Sequence, residues 1–205
     1  MAPRSAQLSP AERLVFFTDA VVAIAMTLLI LPLLESVSDA AGHGLDTLGY
    51  LREHASQLFA FALSFVVISV FWRSHERLFS HVLRKDGVLQ RLNVAWMFTI
   101  VWLPVATALV GSMETDPLQL VLYVGTMLVS SLILLVMMLW LRGHPDLVDP
   151  EHPLDPKGMT AMWMVAVLFA VALLLAVIVP GLGYWALLIM LLSRPLEALL
   201  QRRAR

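Results

Sequence analysis

Six apolar runs, each about the length needed to cross a lipid bilayer, occupy most of this sequence. A membrane-crossing helix needs roughly 20 mostly apolar residues to span a hydrocarbon core about 30 Å thick. The runs cover about residues 15–34, 55–72, 88–111, 118–141, 160–179 and 182–200. They leave no room for a soluble domain, so residues 1–205 read as a single six-helix transmembrane domain. Hydrophobic residues make up 60% of the chain and charged residues only 14%. Soluble domains carry about 25% charged residues, and here the polar surface is too small to cover the apolar mass. The expected class is an all-α integral membrane protein. Residues 1–11 are polar and contain Pro3 and Pro10, and the run that follows is too long for the core of a cleaved signal.

Loop charges set the expected orientation. Thirteen of the 14 Lys and Arg residues fall before span one, between spans two and three or at their shared mouth, between spans four and five, or at the C-terminal end. Only Arg52 falls on the other side. Basic residues stay on the cytoplasmic side, so both termini are expected there and the number of spans is even. The opposite side holds Glu35, Asp39, Asp46, Glu53, Glu114 and Asp116. These acids either draw cations toward a pore or are simply what remains where basic residues are kept out. A formal net charge of −1 offers no basic field for nucleic acid, and the absence of cysteine removes thiolate chemistry and disulfides.

Span one carries Asp19 about one turn from its cytoplasmic end. A carboxylate in hydrocarbon costs roughly 2.5–3.5 kcal/mol at mid-depth, so it should face a partner or water. Arg13, Trp72, His75 and Asn93 lie at similar depth on the ends of spans one to three, and with Asp19 they are expected to form one hydrogen-bonded cluster. A buried network of this kind clamps helices together more readily than it contacts an ion. Farther along, Ile24, Leu28 and Leu31 share a face, with Thr27 beside them. By spacing alone such a stripe is more often a lipid-facing or packed surface than the lining of a pore. Pro32 should end or bend the helix. The loop from His144 to Pro156 combines His144, His152 and several acids with four prolines, which favour a solvated polar connection over a metal site.

Three separated groups of residues carry a family resemblance. The first is Arg13, Phe17, Thr18 and Asp19, followed by AVVAIAMTLLILPL; the second is Trp72, His75 and Phe79; the third runs from Asp86 and Asn93 to Leu103, Pro104 and Thr107. In this order they resemble the transmembrane protein 175 family of potassium channels, whose first helix has Arg, three residues, then Phe-Ser-Asp. Thr18 replaces the usual Ser and keeps the hydroxyl. The chain is similar to bacterial members, which carry one six-helix repeat. The resemblance implies a homotetramer in the bacterial inner membrane with the first helices lining a central pore. K⁺ and other monovalent cations would pass, with modest preference for K⁺ over Na⁺, and no cofactor or resident metal would be needed. Carried over by position, Ile24 would be the narrowest level, Leu28 and Leu31 would stand above it, and Thr27 would be the selectivity candidate. Arg13, Phe17, Thr18, Asp19, Trp72, His75 and Asn93 would form the polar network around the first helix.

The chain lacks the Thr-Val-Gly-Tyr-Gly loop of ordinary potassium channels, and its connection near Gly181 and Gly183 is too short for a re-entrant filter. A second functional class is a proton-coupled carrier using Asp19 and His75 as a relay. Against it, neither inverted repeats nor broken mid-membrane helices stand out. Catalysis is not expected. Ser130 and Ser131 lie in mid-span, but no His or Asp at their depth could activate them.

Overall fold

The computed structural model describes residues 10–179 and 183–192, which are almost wholly helical. Helix α1 spans Pro10–Leu28, α2 Leu31–Gly42, α3 Thr47–Glu53, α4 Ala55–Phe79, α5 Gly87–Ser112, α6 Pro117–Gly143 and α7 Pro156–Ile178. A 3-10 turn at Pro145–Leu147 follows α6, and a 3-10 stretch covers Gly183–Leu192. Among the described residues five helical segments are long and apolar enough to cross a membrane. They are Ala11–Gly42, Ala55–Phe79, Gly87–Ser112, Pro117–Gly143 and Gly158–Ile178. The first five expected spans are therefore present, the first two a turn or more longer than the apolar runs. The sixth lies only partly within the described residues. Its described part is ten residues of 3-10 helix, roughly 20 Å at about 2 Å per residue, which is short of a hydrocarbon core.

Proline and aspartate set the helix boundaries. Pro32 has no N–H to give to the Leu28 carbonyl, and α1 stops there; the chain turns through Leu29 and Ile30, and α2 begins with Pro32 in its first turn. The break falls where the sequence predicts it, yet the segment continues to Gly42 as an outward extension. Asp86 caps α5 by accepting from the Leu89 N–H at 2.7 Å, and Asp116 caps α6 by accepting from Gln119 N–H at 2.9 Å.

The helices form one packed layer system. α6 lies between α5 and α7, and α5 lies between α6 on one side and α1 and α4 on the other. Trp96, Ile100, Leu103, Tyr123, Met127, Met137 and Leu141 are completely enclosed in the centre. On α4 the enclosed residues Ala60, Ser64, Ile68, Phe71, His75 and Leu78 recur every three or four positions, which makes one inward stripe. A hydroxyl network within this core was not visible as a motif: Ser64 Oγ lies 2.7 Å from both Tyr123 Oη and Thr107 Oγ1, tying α4, α5 and α6 together. Mid-span Ser130 donates to Thr99 Oγ1 at 2.6 Å and so ties α6 to α5.

The two loops on the expected cytoplasmic side meet, as antiparallel spans require. Val82 and Val148 form an antiparallel bridge, Leu83 N–H donates to Leu147 O at 2.9 Å, and Asp149 N–H donates to His81 O at 2.8 Å. The proline-rich loop is thus docked rather than freely solvated, because Leu147 buries its side chain and its backbone pairs with the α4–α5 connection. Among the described residues no group of three or more His, Cys, Asp or Glu side chains is placed to hold a metal ion.

Asp86 also accepts from the Trp140 indole N–H at 3.1 Å, linking α5 to α6. Burial alone would raise its carboxyl pKa, but the Leu89 N–H, the Trp140 N–H and nearby His144 outweigh it and hold the group below its ordinary value. A lowered folded value stabilises the protein above the unfolded carboxylate value of about 3.9, and this is lost as pH falls through the folded value. Acid unfolding in detergent, followed by tryptophan fluorescence, is therefore expected to be less steep for Asp86→Asn than for the native chain below about pH 4.

Candidate functional site

Helix α1 has two unlike faces. The inward face is Leu14, Thr18, Val22 and Ala25, continued by Leu29 in the turn that follows, all buried on the side where α1 meets α4 and α5. Thr18 is completely enclosed and donates its hydroxyl to the Leu14 carbonyl at 2.9 Å, so the Ser-to-Thr departure leaves the helix-side hydrogen bond intact. Asn93 on α5 donates through Nδ2 to Thr18 Oγ1 at 2.8 Å. Its other atom, Oδ1, lies 2.6 Å from His75 Nε2 on α4. An amide oxygen only accepts, so His75 carries its proton on Nε2. The order of donation is therefore His75 to Asn93 to Thr18 to Leu14, across three helices.

His75 is fixed as a flat aromatic body as well. Its ring stacks on Phe79 at a centroid distance of 4.3 Å and on Trp96 at 4.5 Å. A separate pair joins α1 to α4: Trp72 donates its indole N–H to Asp19 Oδ1 at 2.9 Å. The intramembrane carboxylate thus faces a donor, as its desolvation cost demands.

The expected single cluster is therefore two neighbouring links, Thr18–Asn93–His75 and Asp19–Trp72, and Arg13 and Phe17 take part in neither. Both are exposed on the opposite face of α1, and Phe17 is 60% exposed. Helical spacing explains the correction. Positions 13, 17, 20, 24, 28 and 31 advance by three or four residues and share one side, whereas 14, 18, 22 and 25 share the other.

The outward stripe contains the residues singled out for a pore. Ile24 is 59% exposed, Leu31 49% and Leu28 40%, and Thr27 is exposed beside them. Thr27 donates its hydroxyl proton to the Ile24 carbonyl at 2.7 Å. Its oxygen therefore keeps lone pairs free toward the outside of the helix. Glu35 lies four positions beyond Leu31 on α2 and is exposed too. The geometry supplies an apolar strip with one oxygen level, backed by a hydrogen-bonded helix–helix joint.

The family model described as endosomal/lysosomal potassium channel TMEM175 matches residues 13–104. Among curated relatives, the endosomal/lysosomal proton channel TMEM175 of Homo sapiens is 26% identical over 140 residues, covering 68% of this chain and 27% of that protein. A potassium channel of Streptomyces collinus is 33% identical over 104 residues, covering 51% of this chain and 49% of the relative. The chain thus spans about a quarter of the animal relatives it matches and about half of the bacterial one. Among solved structures, the crystal structure of a lysosomal potassium-selective channel TMEM175 homolog from Chamaesiphon minutus has a TM-score of 0.61 at 21% identity. It covers 95% of this chain and 98% of that one, so the two share a fold. The family model and the bacterial relative support the resemblance carried by residues 13–104, and the solved structure supports the fold.

Asn93→Ala is expected to strand His75 Nε2 and Thr18 Oγ1 and to destabilise the chain by about 1–2 kcal/mol, at the upper end for an interhelical hydrogen bond in a membrane protein. Thermal unfolding in detergent checks this. Phe17→Ala, on the open face, should leave the midpoint within a degree or two of the native value.

Proposed function

We propose that this TMEM175-like chain is a subunit of a potassium-permeable cation channel, a homotetramer whose α1 helices stand around a central path. The observation that carries this reading is the split of α1 into a face pinned by hydrogen bonds and a face left open. Ile24, Thr27 and Leu28 lie on the open one, and exposed Leu31 at the start of α2 continues it. Four such strips around an axis make stacked apolar rings with a hydroxyl level between them. Narrow apolar rings exclude water and so act as a gate, and oxygen lone pairs replace part of a cation's hydration shell.

In this reading Ile24 forms the constriction, Leu28 and Leu31 the rings above it, and Thr27 the level that favours K⁺ over Na⁺. No carbonyl-lined loop takes part, so the preference for K⁺ is modest. The network of Thr18, Asn93, His75, Asp19 and Trp72 is scaffolding: it fixes the rotation of α1 about its own axis and keeps the strip aimed one way. Arg13 and Phe17 sit on the open face toward the expected cytoplasmic end and belong to the mouth of the path. The chain would lie in the bacterial inner membrane with both termini in the cytoplasm, as one six-helix domain over residues 1–205. The relatives are named as channels, which leaves the proton-coupled carrier unfavoured. Because the animal relatives are named as proton channels, proton flux belongs beside K⁺ flux in any assay.

Reconstituted protein is expected to pass K⁺ with an ohmic, non-saturating current. Ile24→Asn should wet the constriction and raise current about tenfold or more; no K⁺ flux in liposomes, with Ile24→Asn also silent, would overturn the proposal. Under opposed K⁺ and Na⁺ gradients, Thr27→Val should move the reversal potential toward zero while Thr27→Ser keeps the native value.

A further inference from the structure

An open groove of about 1040 Å³ runs along the outside of α4, walled by α6, α7 and the Gly183–Leu192 stretch. Its lining is mostly apolar, with exposed Val66 and Val70 on α4 in the middle. The charges are segregated. Arg77, in the last turn of α4, is the one cation among its described lining residues, and Asp116, at the start of α6, is the one anion. They stand at opposite ends, because α4 ends where the chain is expected to reach the cytoplasm and α6 begins on the other side. Arg77 is exposed and free of any carboxylate among the described residues.

We propose that this groove is a binding site for an anionic phospholipid of the leaflet on the Arg77 side. The phosphate takes the guanidinium, which suits it as a planar multiple donor. The acyl chains lie along Val70 and Val66. From Arg77 to Val66 is eleven residues, or about 16 Å at about 1.5 Å per residue, which matches one leaflet of a core roughly 30 Å thick. Asp116 repels a phosphate from the far end, so the site is directional. A free phosphate ion would satisfy Arg77 and leave the groove empty; a lipid fills both parts. Hydrocarbon tails gain little by exchanging bilayer for protein, so the head group decides which lipid stays. The inference rests on the membrane reading of the chain and on the orientation expected from its charges, not on ion conduction.

Native mass spectrometry of the detergent-purified protein, titrated with phosphatidylglycerol or with phosphatidylcholine of the same chains, tests it. The native protein should hold phosphatidylglycerol about fivefold more tightly, the factor one cationic side chain supplies at an anionic head group. Arg77→Gln should erase that preference and Arg77→Lys should keep most of it. Val70→Trp, which fills the groove, should lower retention of both lipids, and inorganic phosphate should displace neither. Unchanged melting of the Arg77 variants shows that they fold. The proposal is overturned if the native protein shows no preference, if Arg77→Gln retains it, or if phosphate alone competes. It is also overturned if Val70→Cys, in a chain with no other cysteine, cross-links between copies in membranes, since a second subunit then occupies the groove. K⁺ flux recorded on the same samples separates the readings: lost lipid preference with flux intact indicts the lipid site alone, and lost flux with preference intact indicts the channel alone.

Discussion

A hydrocarbon medium offers buried polar groups no water, so a donor or acceptor left without a partner inside the protein is costly. The inward side of α1 is organised by that cost. Thr18 and Asp19 are adjacent in sequence and leave the helix about 100° apart, so they meet different neighbours. Thr18 is taken up by Asn93 of α5, and Asp19 by Trp72 of α4. Two anchors at one level, to two helices, stop α1 from rotating about its axis as well as from sliding. Apolar packing alone would not do this, because in a bilayer lipid tails are as good a neighbour as leucine.

Once α1 is held this way, the opposite side is left open along its whole length. Arg13, Phe17, Ile24, Thr27, Leu28 and Leu31 are all exposed although most are apolar. In water such a strip would be an aggregation hazard; in a membrane it meets lipid, a second subunit or a pore axis. The proposed channel uses it as the last two together. The same segregation of roles recurs on α4. Its inward stripe includes Ser64 and His75, and its outward side forms the long groove with Arg77 at one end.

Much of the architecture was legible before the structure, because the length of an apolar run answers directly to bilayer thickness. The first five spans follow from that, and the break after Leu28 follows from the missing N–H of Pro32. The partners of Asp19 and His75 were legible in kind, since Trp72 and Asn93 were the polar groups at matching depth. Depth alone places Arg13 with the cluster, but helical rotation puts it on the 13–17–20–24 side, away from Asn93 and Trp72. The Ser64–Tyr123–Thr107 network left no signal, since single hydroxyls spread over three helices make no motif. The docking of the proline-rich loop was equally hidden, because backbone pairing such as Val82 with Val148 depends on where two loops end up, not on their composition.

What the sequence by itself determined is the medium, the approximate span limits, the expected sidedness and the residues that need partners, because burial cost and helix length are properties of the chain's own chemistry. Only the tertiary structure decided which acceptor meets which donor, which side of α1 is packed and which is open, and that a charged end and an apolar trough fall in line along α4. Those depend on the rotation and tilt of each helix against its neighbours, and in a uniformly apolar medium these are set by a few interhelical hydrogen bonds and close side-chain fits rather than by hydrophobic pattern.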